Sequence, residues 1–128
     1  MVLVDTDVLI WNFRGNTRAA DLLDESEMFY LSAVTYMELV QCVRNKNELQ
    51  ELRRAIHFWG TKIEPIDEQI SSRATYLVET YSLSHGMQMA DALIAATALS
   101  LGLPLVTAND KHYQMAEGLE IRVFRPIE

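Results

Sequence analysis

Residues 89–110, MADALIAATALSLGLPLVTAND, decide the fold. Met89 to Leu101 reads as an Ala-rich helix closed by Gly102, and Leu103 to Thr107 as a strand. Asp91 is the only charge between Met87 and Ala108, and its row of the helix continues through Ile94, Ala95, Ala98 and Gly102. A carboxylate on a face of small and apolar residues has two readings. It is a first-turn partner of the helix dipole, worth ~0.3–1 kcal/mol, or it is a functional group.

The same alternation of strand and helix runs outward along the chain. Met1 to Thr6 is a Val- and Leu-rich run of strand length, and Asp7 to Gly15 reads as a short helix. Thr17 to Ser26 is a second amphipathic piece, and Met28 to Leu31 a strand. Helices follow over Ser32 to Asn45 and Asn47 to Trp59, the latter closed by Gly60. Lys62 to Pro65 is a short strand, Asp67 caps a long helix to about Leu83, and Ser82 to Gly86 reads as a loop. After Thr107 come a short helix, Asp110 to Glu117, and a last strand, Glu120 to Phe124. The expectation is an α/β fold: a single domain over residues 1–128, with a central, mainly parallel sheet flanked by helices on both faces. In such folds ligands gather beyond the carboxyl ends of the strands, here just after Thr6, Leu31, Pro65 and Thr107.

Composition narrows the chemistry. At 128 residues and 14.6 kDa, about two thirds of the extended chain's surface can be buried, enough for a core without staples. Hydrophobic residues at 49% and charged residues at 23% are ordinary globular composition and argue against disorder. No apolar run reaches the ~18 residues of a membrane span, and Asp5 and Asp7 stand where a signal peptide would be apolar. The chain reads as cytoplasmic. Eleven Lys and Arg against eighteen Asp and Glu give a net charge of −7. Nucleic acid must then be met locally, by a few basic side chains or by metal ions held on carboxylates. One cysteine, Cys42, and three scattered histidines (His57, His85, His112) exclude an internal disulfide and a Cys-rich zinc site.

The acids therefore carry the argument. Asp5 ends an apolar strand, where a charge is costly unless paired or metal-bound. Asp7 either caps the following helix or joins Asp5. Glu38 shares a helix row with Val34 and Cys42, and Thr35-x-x-Glu38 has the form of a capping box. A helix starting at Thr35 makes Glu38 a cap partner; a helix starting at Ser32 points it elsewhere. Asn109 and Asp110 have turn chemistry, and Asp110 suits a helix cap. In a parallel sheet the end of the first strand, the end of Leu103–Thr107 and the starts of the following helices share one edge. Carboxylates gathered there within ~4–6 Å repel unless a cation sits among them, and oxygen-only ligands suit Mg²⁺ or Mn²⁺.

VLVDTDVLI (2–10), LSAVTYMELVQ (31–41) and MADALIAATALSLGLPLVTAND (89–110), in this order, resemble PIN-domain ribonucleases of the VapC toxin type. The resemblance covers nearly the whole chain, and its third block is the most specific. It implies that Asp5, Glu38 and Asp91 bind Mg²⁺ or Mn²⁺ for hydrolysis of RNA phosphodiesters by an activated water. Thr6 and Thr107 match hydroxyl positions that support the acids, with Asp7 and Asn109 beside them. Two positions depart from the family pattern: Asp7 replaces the usual Asn, and His112 stands where a fourth acid is common, with Asp110 a substitute from two residues earlier. The resemblance also implies a homodimer neutralised by a small VapB-type antitoxin.

Arg14 and Arg18, just after the first acidic block, are the RNA-backbone candidates by position. Arg44, Lys46, Arg53, Arg54 and Lys62 read either as a solvated face or as further backbone contacts. Two other functions compete with the nuclease. Asp5-Thr6-Asp7 after an apolar strand also resembles the opening of haloacid dehalogenase-type phosphatases, and a PIN-like module could bind partners without catalysis.

Overall fold

The computed structural model describes residues 1–26 and 28–127. Five strands form one parallel sheet: β1 (Val2–Val4), β2 (Phe29–Ser32), β3 (Lys62–Glu64), β4 (Leu105–Thr107) and β5 (Ile121–Val123), in the order β3-β2-β1-β4-β5. The helices are α1 (Thr6–Phe13), α2 (Thr17–Glu25), α3 (Ala33–Cys42), α4 (Lys46–Trp59), α5 (Glu68–His85) and α6 (Met89–Leu101). The chain builds β1, β2 and β3 outward on one side, then crosses to lay β4 on the other side of β1. The order thus reverses between β1 and β4, which is where open α/β sheets bind ligands.

Strand alternation explains the two-sided core. Leu3 and Leu105 point into an apolar cluster with Ile70, Leu77 and Ile94, covered by α5 and α6. Val2, Val4 and Val106 point to the other face, into a cluster with Val8, Leu9, Leu31 and Leu39 beneath α1 to α4. The Ala face of α6 (Ala92, Ala95, Ala96, Ala98) is fully or almost fully buried. Small side chains let the helix lie close to its neighbours, so the start of α6, with Asp91, is held firmly at the sheet edge.

Several boundaries differ from the sequence reading. Ser82 to Gly86 is no loop: α5 runs on to His85 before Gly86 closes it at φ 65°. His85 stays helical because its ring packs edge-on against Tyr81, one turn back, and Nδ1 lies 2.7 Å from Ser84 Oγ. The helix expected over Asp110 to Glu117 is a single 3-10 turn, Asp110–His112. Asn109, not Asp110, occupies its cap position and makes no side-chain cap bond, leaving nothing to propagate an α-helix. Pro65 and Pro104 fall outside their strands, having no N–H to give the ladder.

Candidate active site

At the reversal between β1 and β4 the chain turns straight from strand into helix. Asp5 is the hinge residue: its N–H still donates to Val106 O at 2.9 Å, and its own backbone is the N-cap of α1. That geometry points its carboxylate into the sheet edge, where it is only 5% exposed. Oδ1 accepts from Thr6 N at 2.8 Å and Oδ2 from the Thr107 hydroxyl at 2.8 Å. Burial first, and then the neighbouring charge of Asp7, pushes its pKa up to about 7, against the lowering effect of these bonds.

Asp7 does not cap α1, since Asp5 does. Its Oδ2 instead accepts from Ala108 N at 2.9 Å, tying α1 to the end of β4, and Thr107 Oγ1 lies at 3.4 Å. Its Oδ1 is buried without a hydrogen-bond partner. Burial raises this carboxyl's pKa as well.

The helix that carries Glu38 starts after Ser32, whose hydroxyl accepts from Val34 N at 3.1 Å. The capping-box reading of Thr35 and Glu38 therefore fails. Glu38 instead accepts from the Thr6 hydroxyl at 2.7 Å, and Thr35 Oγ1 lies 3.0 Å from Thr6 Oγ1. Asp91, in the first turn of α6, accepts from the Tyr113 hydroxyl at 3.2 Å on Oδ1, and His112 Nδ1 stands 3.3 Å from its Oδ2. Burial, and then the charges of Asp5 and Asp91, raise the Tyr113 pKa, so its hydroxyl lies close to Asp5 as well. Hydrogen bonds thus join Glu38, Thr6, Asp5, Thr107 and Asp7 in one group, and Tyr113 and Asp91 in a second beside it.

Sequence reasoning missed Tyr113. The ring is fully buried, and an aromatic in that place reads as core; the signal lay in its hydroxyl, which when buried demands a polar partner. The remaining candidates lie elsewhere. Asp110 turns to Arg125, whose Nη2 is 3.0 Å from Oδ1, while Gln114 Nε2 reaches Oδ2 at 3.3 Å. Its contacts include none of the other acids. Asn109 uses its backbone N–H on Thr107 Oγ1 at 3.0 Å, and its side chain is exposed. Arg14 caps the far end of α1, roughly 12 Å along the helix from Thr6. There it lines a cleft of about 590 Å³ with Ile10, Leu39, Val43 and Arg44. Arg18 lies on α2, in a groove with Leu22, Phe124 and Arg125. Arg14 does not sit beside Asp5, because α1 carries the chain away from it.

Among the described residues, no three acidic, histidine or cysteine side chains are gathered closely enough to enclose an ion alone. The acids are instead joined through hydroxyls. The donor set still fits a hard divalent cation: it is made of carboxylate oxygens, one buried carboxyl is held near neutrality, and one buried oxygen, Asp7 Oδ1, has no partner. Mg²⁺ in particular usually keeps several waters and takes only one or two carboxylates. Among the described residues no helix is long and apolar enough to cross a membrane.

The sequence pattern of the PIN domain matches residues 2–118. Ribonuclease VapC10 of Mycobacterium tuberculosis is 35% identical over 124 residues, covering 94% of this chain and 91% of the relative. Ribonuclease VapC19 of the same organism is 31% identical over 125 residues, covering 94% and 98%. Among solved structures, a toxin-antitoxin complex from Klebsiella pneumoniae contains a chain with a TM-score of 0.75 and 29% identity, covering 100% of this chain and 99% of that one. Pattern, relatives and sheet topology agree: the chain belongs to the PIN domain family, in the VapC group of ribonucleases.

Proposed function

We propose that the edge between β1 and β4 is a divalent-metal site at which this protein hydrolyses RNA phosphodiesters, as the toxin of a toxin–antitoxin pair. The observation that carries the reading is Asp5: a carboxyl 5% exposed, at the point where the strand order reverses, joined to Glu38 through Thr6 and close to the Tyr113 hydroxyl that holds Asp91. Asp5, Glu38 and Asp91 would hold Mg²⁺ or Mn²⁺. When bound, such an ion lowers the pKa of water and offsets phosphate charge.

The chain's own groups set the geometry. Thr107 and the Thr6 N–H fix the two oxygens of Asp5, the Thr6 hydroxyl orients Glu38, and Tyr113 orients Asp91. Asp7 holds α1 against the end of β4. With a net charge of −7, approach of nucleic acid is opposed until a cation reverses the local sign. Single-stranded or loop RNA suits the site, because its bases are free to be read.

The reading includes a homodimer, a VapB-type antitoxin as partner and a cytoplasmic location. A basic antitoxin segment would complement the acidic chain. Arg14 and Arg18 would serve RNA outside the acidic edge, not within it. The phosphatase alternative falls with the family match.

The test is cleavage of a structured RNA and of a DNA of matching sequence, with Mn²⁺ and with chelator. RNA cleavage only in Mn²⁺ is expected. Equal cleavage in chelator overturns the metal site, and faster cleavage of the DNA overturns the substrate.

A further inference from the structure

We infer that Tyr113 is a positioning residue of this site: its buried hydroxyl fixes one oxygen of the Asp91 carboxylate, while His112 braces the other. The inference rests on the reading of Asp5, Glu38 and Asp91 as metal-binding acids. Three separate segments meet here. Asp5 ends β1, Asp91 opens α6, and Tyr113 follows the 3-10 turn after β4.

The Tyr113 ring is 0% exposed and belongs to the same apolar cluster as Leu3, Ile94 and Leu105. Its place is therefore set by packing, not by the acids. A buried phenol needs a partner for its O–H. Here that partner is Asp91 Oδ1 at 3.2 Å. His112 reaches the second oxygen of Asp91 at 3.3 Å from a side chain 58% exposed. The two arms are unequal: one is anchored in the core, the other stands in solvent. A phenylalanine would fill the same space, so only the hydroxyl separates positioning from packing.

The experiment is Mn²⁺ binding, read by electron paramagnetic resonance, for wild type, Tyr113→Phe, His112→Ala and Asp91→Asn. Tyr113→Phe is expected to weaken Mn²⁺ binding about tenfold, the range seen when an outer partner of a metal ligand is lost. His112→Ala is expected to weaken it less. An affinity for Tyr113→Phe within about twofold of wild type, with Asp91→Asn strongly impaired, overturns the inference and leaves the metal site standing. Wild type that binds no Mn²⁺, or binding untouched by Asp91→Asn, overturns the site itself. A second measurement needs no variant. In wild type carrying ¹³C-labelled tyrosine, the Tyr113 Cζ resonance is expected to move when Mg²⁺ is added. A resonance unmoved at saturating Mg²⁺ overturns the inference even if Tyr113→Phe fails to fold.

Discussion

The carboxylates of this protein live in two opposite environments. On the surface, Glu48 is forked by Arg44, with Nη2 2.7 Å away, and Asp110 is held by Arg125 at 3.0 Å. The hydrogen bond from its arginine holds each of these carboxyls below its ordinary pKa. At the β1–β4 edge the partners of Asp5, Asp7 and Glu38 are hydroxyls and backbone N–H groups, and Asp5 and Asp7 titrate above their ordinary value. The first kind of acid is complete as it stands. The second is held by neutral donors and takes up a proton more readily, because burial disfavours its charge. The difference separates acids that decorate a fold from acids that expect a ligand.

The largest effect expected from this contrast is on activity. Asp91→Asn keeps side-chain shape and removes one negative charge. RNA cleavage should fall by about 10²–10³-fold, because several kcal/mol of metal-dependent stabilisation is lost. In chelator the variant should melt at or above the wild-type temperature, since a like charge has left a repelling group. A clear loss of stability in chelator would instead make Asp91 a helix-dipole partner.

Next comes the pH dependence of Asp5. An acid with a raised folded pKa binds more protons folded than unfolded between the two values, so stability falls as pH rises through that window. For Asp5 the window runs from the ordinary 3.8 to about 7, and Asp7 acts in the same direction. In chelator, wild type should therefore lose stability from pH 4 to pH 7 through these groups. Asp5→Asn should flatten the decline and melt higher than wild type at pH 8. Thermal melts across that range measure it. An Asp5→Asn protein less stable at pH 8 would move Asp5 into the class of Glu48 and Asp110.

The contrast sharpens further when the cation is supplied. Mg²⁺ at a hundred times its dissociation constant adds about 2.7 kcal/mol to a folded state that alone binds it. For a domain of this size that is roughly 8–10 °C in melting temperature. Wild type should show the rise, and Asp5→Asn and Asp91→Asn should show little of it. An equal rise in all three would place the ion on the surface acids.

How far the sequence carried this reading depends on what each residue's neighbours in space were. The helix Met89–Leu101 was legible to the residue, because an Ala-rich run, one lone charge and Gly102 are all local signals. Asp5, Glu38 and Asp91 were legible as misplaced charges. What could not be read was direction. Arg14 is close to Asp5 in sequence, but the helix between them takes it to the far end. Thr35 and Glu38 have the spacing of a cap, and only the earlier start at Ser32 frees Glu38 to meet Thr6. Tyr113 was hidden because the partner of its hydroxyl stands on another helix.

The smallest expected effect settles the position of Asp110, which the sequence offers as a fourth ligand. In the fold its Oδ1 faces Arg125 Nη2, and Arg125 Nη1 donates to Ala108 O at 2.9 Å. The arginine thus staples the turn after β4 from the chain's last segment. Asp110→Asn keeps an oxygen for that arginine and removes a charge already balanced within the protein. Such surface pairs contribute little, because solvent screens them and both side chains lose freedom to form them. The melting temperature should shift by about a degree or less, and cleavage at saturating Mn²⁺ should stay within about twofold of wild type. If cleavage instead falls as far as in Asp91→Asn, Asp110 must leave Arg125 to reach the ion. The line between the two kinds of acid would then break at this residue, and the turn from Asn109 to Tyr113 would be a moving part of the site.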